Sequence, residues 1–239
     1  MSADLALALP AHLPADLPLQ AWGQTLQLLV ELGGTAAFAL SGVMEAARKR
    51  LDPVGVCVVG CLAAFGGGTV RDLLLDQRPF FWVSHESTLW AVLLLCALSM
   101  LFLRDRHFSI TERAMLWPDA LGLGLFTAAG VHQSIAADMP ALVTVLLGVI
   151  TGTFGGVLRD MVCNEIPAVL KDHRPYALCA FAGAWLCLGL VALGLPGWIS
   201  VLACVALTAG SRGLAVRRGW QIPHWRSGSP GPENPHDRH

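Results

Sequence analysis

Phe65-Gly66-Gly67-Gly68-Thr69-Val70-Arg71-Asp72, followed by Pro79, is matched 88 positions later by Thr153-Phe154-Gly155-Gly156-Val157-Leu158-Arg159-Asp160, followed by Pro167. Gly67 with Gly155, Gly68 with Gly156, Arg71 with Arg159, Asp72 with Asp160 and Pro79 with Pro167 coincide without a gap. The same offset brings Glu31 onto Asp119, Gly34 onto Gly122, Phe38 onto Phe126 and Gly42 onto Gly130. Both copies lie in strongly apolar sequence. A duplicated glycine-rich helix with an Arg-Asp pair in such a setting points to a transmembrane pathway assembled from an internal repeat.

Composition sets the solvent. The 239 residues are 54% hydrophobic and only 14% charged, where a soluble domain carries about 25% charged residues. With a mean hydropathy of +0.58, the expected class is an all-α integral membrane protein whose main partner is the lipid bilayer. A net charge of −1 gives no footing for nucleic acid. The seven cysteines are odd in number, form no CxxC and lie in or beside apolar segments. They read as small apolar residues, not as a disulfide framework or a metal site. The first 20 residues lack a basic start and are interrupted by Pro10, Pro14 and Pro18, which speaks against a signal peptide.

A bilayer core takes about 20 apolar residues per helix. Seven spans are expected, near 24–46, 54–75, 88–103, 118–137, 141–163, 176–195 and 197–214. Arg48, Lys49 and Arg50 follow the first span, Arg104, Arg106 and Arg113 the third, Lys171 and Arg174 the fifth, and Arg212, Arg217 and Arg218 the seventh. The opposite side has Arg78 alone in its connecting loops. The bias places the N-terminus outside and the C-terminus in the cytoplasm. The expected organisation is an extracytoplasmic tail over 1–23, repeat one over 24–104, a cytoplasmic loop over 105–117, repeat two over 118–195, a last helix over 197–214 and a disordered tail over 219–239. Three spans per repeat make the second copy enter from the opposite side, an inverted 3+3 repeat plus one extra helix.

Gly66, Gly67 and Gly68, with Gly155 and Gly156, are expected to break or kink the second and fifth spans. Each glycine weakens a helix by about 1 kcal/mol relative to Ala, and freed backbone groups in lipid must line a cavity or be satisfied internally. Close helix packing through small residues is the competing reading. Arg71, Asp72, Arg159 and Asp160 are charges at membrane depth that face a protein interior or an aqueous cavity. Each is expected to pair across the repeat or cap a freed helix end, with interfacial snorkelling as the alternative. Glu31 and Asp119 are symmetry-related acids suited to draw cations into two vestibules, although Asp119 beside Pro118 also suits a helix start. Ser41, Thr69, Thr151 and Thr153, like Thr127 and Thr144, offer hydroxyls along a pore, or bond back to the preceding turn. His132 reads as a buried, satisfied histidine before a proton relay. No catalytic constellation, nucleotide loop, cofactor site or metal cluster is present, so an enzyme is not expected.

These blocks, together with Gly34-Thr35-Ala36-Ala37-Phe38-Ala39-Leu40-Ser41-Gly42, the 3+3+1 helix pattern and the N-out orientation, resemble the prokaryotic trimeric intracellular cation channel family, also known by a "glycine transporter" domain label. The resemblance covers about residues 24–214. It implies a homotrimer with one pore per subunit, lined by the second and fifth helices with the first and fourth and kinked at the glycine motifs. It further implies conduction of monovalent cations, chiefly potassium as the permeant ion, in a bacterial plasma membrane. The Lys-Glu-Val lipid-binding motif of animal members is missing here. Two other readings stay open on the residues alone: a secondary transporter of a small glycine-like amino acid working by alternating access, and a membrane scaffold without transport.

Overall fold

The computed structural model describes residues 23–103, 112–170 and 175–220. Among them all regular structure is helical: α1 (Gln24–Arg48), α2 (Pro53–Leu74), α3 (Phe81–Ser84), α4 (Glu86–Leu103), α5 (Glu112–Ala136), α6 (Ala141–Val162), α7 (Ala177–Ala192) and α8 (Gly197–Arg218). Five of them, α1, α2, α5, α6 and α8, are long and apolar enough to cross a membrane, and α4 and α7 are shorter apolar helices. Expectations resting on residues 1–22, 104–111, 171–174 and 221–239 lie outside the described residues.

Local signals explain the helix ends. Pro53 occupies the first position of α2, where its missing N–H costs nothing, and the Asp52 carboxylate accepts from Gly55 N at 2.7 Å. Arg50, Asp76, Asp138 and Asn164 have φ between 50° and 54°. Each closes a helix by a paired cap in which the next residue's N–H reaches back five positions, as Leu51 N does to Ala46 O and Gln77 N to Asp72 O. This is the left-handed C-terminal cap, tolerated best by Gly, Asn and Asp. The four positions fall into two pairs, Arg50 with Asp138 and Asp76 with Asn164, each 88 residues apart. The repeat therefore extends to backbone conformation where side chains have diverged.

Three expectations need correction. The glycine runs do not break α2 or α6, which are continuous helices through Gly66–Gly68 and Gly155–Gly156. Pro118 lies inside α5, not at its start, because the helix already begins at Glu112. Residues 112–117 of the expected loop over 105–117 are therefore helical. The segment between the second and third spans carries a separate short helix, α3, held by Phe81 N donating to the Asp72 carboxylate at 3.0 Å and by Trp82 Nε1 donating to Thr69 Oγ1 at 3.2 Å.

The glycines serve close approach instead. A Cβ on Gly67 would run into the backbone oxygen of Thr151, and a Cβ on Gly155 into that of Ala63. Ala63 and Thr151 are themselves 88 positions apart, so the two contacts are one contact seen from both halves. The same exchange joins α1 to α5: a Cβ on Gly34 would enter the Phe126 ring, and one on Gly122 would lie 2.8 Å from the Phe38 ring. The two rings meet at 5.5 Å between centroids. In both contacts the residue numbers rise on one helix as they fall on the other, so α1 and α5 are antiparallel, as are α2 and α6. A two-fold axis across these four central helices relates the halves. α4 packs on α1 and α2, α7 on α5 and α6, and α8, which has no counterpart, on α5 and α7.

Gly67→Ala and Gly155→Ala each force a backbone carbonyl aside and are expected to destabilise by about 1–3 kcal/mol. Gly189→Ala, where nothing lies within 4 Å, should be neutral or stabilising by up to about 1 kcal/mol. Thermal unfolding of the three variants in detergent separates them, and equal melting points would refute the close-contact role.

Candidate functional site

Two buried charge clusters stand at opposite ends of the four central helices. In the first, Arg71 near the end of α2 donates through Nη1 to Glu31 Oε1 on α1, and through Nε and Nη2 to Asp72 Oδ1 at 2.9 and 2.7 Å. Gln133 on α5 donates to the same Glu31 oxygen at 2.7 Å. In the second, Arg159 near the end of α6 donates through Nη1 to Asp119 Oδ1 on α5 at 2.7 Å and to Ser41 Oγ on α1, and through Nε to Asp160 Oδ1 at 2.8 Å. The far oxygen of each aspartate receives a backbone N–H from the segment that follows, Phe81 in one half and Ala168 in the other, at 3.0 and 2.8 Å. Side chains of Glu31 and Arg71 are each 1% exposed.

The arrangement differs from the expected pairing in two respects. Each arginine pairs with the acid of its own half, Glu31 with Arg71 and Asp119 with Arg159. The guanidinium also folds back onto the adjacent aspartate, although neighbouring residues leave a helix in different directions. The long arginine side chain and the short aspartate together span that divergence. Within the clusters, what crosses between halves is neutral: Gln133 joins the first cluster from the second half, and Ser41 joins the second cluster from the first.

Thr151 Oγ1 donates to Leu147 O at 2.6 Å, Thr153 Oγ1 to Val149 O at 2.8 Å, Thr127 Oγ1 to Leu123 O at 2.7 Å and Thr69 Oγ1 to Phe65 O at 2.8 Å. These hydroxyls bond to the preceding turn of their own helices. Thr144 Oγ1 donates to Met139 O at 3.1 Å. His132 is buried with Nε2 at 2.9 Å from Ser200 Oγ. Gly68 and Gly156 sit beside the arginines: a Cβ on either would lie 3.7–3.8 Å from Nη2 of Arg71 or Arg159. Gly66 faces Leu158 Cδ1 at 2.6 Å from a built Cβ. Among the described residues no group of three or more His, Cys, Asp and Glu is placed to hold a metal ion.

Sequence reasoning missed Gln133, Tyr176 and Arg212. Gln133 aligns with Glu45, an isosteric polar residue at the same place in the first repeat, and that match was the available signal. Tyr176, the one tyrosine of the chain, is buried with its ring 4.8 Å from the Arg212 guanidinium carbon. Arg212 was grouped with the positive charges beyond the last span, yet it is buried on α8.

Arg71→Ala should cost about 3–5 kcal/mol, because it strands two buried carboxylates. Lys49→Ala, which removes a part-exposed partner of Glu165, should cost less than about 1 kcal/mol. Comparable losses in a detergent unfolding assay would contradict the ranking.

Comparison with known proteins agrees with this architecture. The family model described as "Glycine transporter" matches twice, over residues 28–104 and 116–192, again 88 positions apart. A UPF0126 membrane protein of Vibrio cholerae is 36% identical over 203 residues, covering 83% of this chain and 82% of the relative. The inner membrane protein YadS of Escherichia coli is 37% identical over 158 residues, covering 64% and 74%. Among solved structures, the TRIC trimeric intracellular cation channel orthologue from Rhodobacter sphaeroides superposes with a TM-score of 0.76 at 32% identity, covering 82% of this chain and all of that one. A second structure, described in terms of conductance through TRIC cation channels, gives 0.74 at 29% identity, with 84% and 98% covered. With its twice-repeated helical unit and the paired clusters at both ends, the chain belongs to the prokaryotic TRIC channel family of multi-pass membrane proteins, the family whose sequence model carries the glycine-transporter description.

Proposed function

We propose that this protein is a monovalent cation channel, permeable to potassium, with one path in each subunit of a homotrimer. The observation that carries the reading is the two-fold pair of charged clusters at the ends of α1, α2, α5 and α6, in a chain that matches TRIC channel structures over more than four-fifths of its length. Carboxylates at both ends of an apolar bundle favour cations over anions. Seven spans, with α4 and α7 counted, fit the antiparallel relation of the halves. α7 has 16 residues, a rise of about 24 Å, and a short span of this kind is accommodated by local thinning of the bilayer. The positive-inside bias and the inner-membrane relative support a bacterial inner membrane with the N-terminus outside.

Gating follows from the same contacts. At Gly67 and Gly155 backbone lies against backbone, and Leu158, seated over Gly66, is the side chain that must yield for α2 and α6 to shift along one another. In the arrangement described, both arginines occupy the carboxylates. Separation of α2 from α6 would draw each arginine away from the acid on α1 or α5 and expose it to a passing ion.

Potassium flux into liposomes holding the purified protein is the test, with glycine uptake measured in parallel. The expected result is non-saturating potassium entry that follows the electrical gradient and no glycine accumulation. Saturable, gradient-coupled glycine uptake without potassium leak would make the protein a carrier.

A further inference from the structure

The two clusters carry the same set of charges. Glu31, Asp72 and Arg71 at one end, and Asp119, Asp160 and Arg159 at the other, each combine two acids with one base. α8 has no counterpart in the first half, and it brings Arg212 to the level of the second cluster. A Cβ on the adjacent Gly213 would lie 3.6 Å from the Trp117 ring, two residues before Asp119. The Arg212 guanidinium stacks on Tyr176. The Tyr176 hydroxyl in turn lies 3.1 Å from the Cβ position of Gly156, and Asp119 Oδ1 lies 3.7 Å from the same point. Arg212 is 8% exposed, yet its Nε and Nη1 have no hydrogen-bond partner, nor does the Tyr176 hydroxyl. Among the described residues it forms no ion pair.

The other cations at this end differ in kind. Arg48 pairs with Glu45, and Lys49 with Glu165. Arg217 and Arg218 are exposed and lie over Trp117 and Trp220, where salt screens them within about 8–10 Å. Among the described residues, Arg212 alone combines burial, the lack of a direct ion-pair partner and a place beside the Asp119 cluster without belonging to it.

We propose that Arg212 makes the two ends of the conduction path electrostatically unequal. Cations then gather at the Glu31 end and are held off at the Asp119 end, and the current through one open pore rectifies. The inference rests on the channel reading above. At the dielectric of water one unit charge acts on a cation about 10 Å away with a change in local concentration of about twofold without salt, and about 1.3-fold at 0.1 M, where the Debye length is about 10 Å.

Single-channel currents in a planar bilayer, taken at equal positive and negative voltages in symmetric KCl, test this whichever way the protein inserts. The wild type should show a current ratio of about 1.3 or more at 0.1 M KCl, falling toward one at 1 M, where screening reaches only about 3 Å. Arg212→Gln should give a ratio near one at both concentrations, and Arg212→Lys should keep the wild-type ratio. A wild type linear at 0.1 M overturns the proposal without reference to any variant. So does an unchanged ratio in Arg212→Gln, and Arg212→Lys becoming as linear as Arg212→Gln would assign the effect to shape instead of charge. A folded wild type that passes no potassium current overturns the channel reading and this inference together.

Discussion

Each half of the molecule depends on an arginine buried near the end of a membrane-length helix. A guanidinium cannot shed its charge, and in a low-dielectric interior it must be paired and hydrogen-bonded or the fold loses several kcal/mol. Arg71 and Arg159 meet that demand in the same way, with one acid from the neighbouring helix and the aspartate next in sequence. The demand fixes where α1 lies against α2 and α5 against α6. It also ties down the segment that follows each arginine-bearing helix, because the far aspartate oxygen holds Phe81 N or Ala168 N.

Side-chain volume then decides how near the halves approach. The clusters sit at the ends, and between them α2 and α6 touch at Gly67 and Gly155 while α1 and α5 interlock by ring over glycine at Phe38, Phe126, Gly34 and Gly122. The α2–α6 contact is made chiefly of backbone and small residues, with Leu158 seated over Gly66. α8, outside the repeat, adds Arg212 to one end only, which gives an otherwise symmetric bundle a direction.

Much of this was legible in the sequence. The offset that aligns Gly67 with Gly155 and Arg71 with Arg159 identified the repeat, and the apolar runs located the helices to within a few residues, except at α5. There Pro118 was read as a helix start, since proline favours that position, whereas Glu112 to Trp117 extends the helix ahead of it. The glycine runs were read as breaks because helix propensity penalises them. Tertiary contact overrode propensity, and the missing Cβ atoms serve the approach of Thr151 O and Ala63 O. Partner choice was harder to read. Nothing in the spacing of Arg71 and Asp72 discloses that the guanidinium turns back, Gln133 reaches a cluster that its counterpart Glu45 does not mirror, and Arg212 lies outside the repeat.

The central claim is that the two halves are inverted, with their clusters at opposite membrane faces. Asp76 and Asn164 occupy equivalent left-handed caps just beyond the arginine-bearing helices, and both are exposed. Asp76→Cys and Asn164→Cys, each in a cysteine-free background, can be probed in intact cells with a membrane-impermeant thiol reagent. Labelling of position 76 in intact cells, and of position 164 only after permeabilisation, is the predicted result. Labelling of both positions from the same side would contradict the inverted arrangement and the two-ended path built on it.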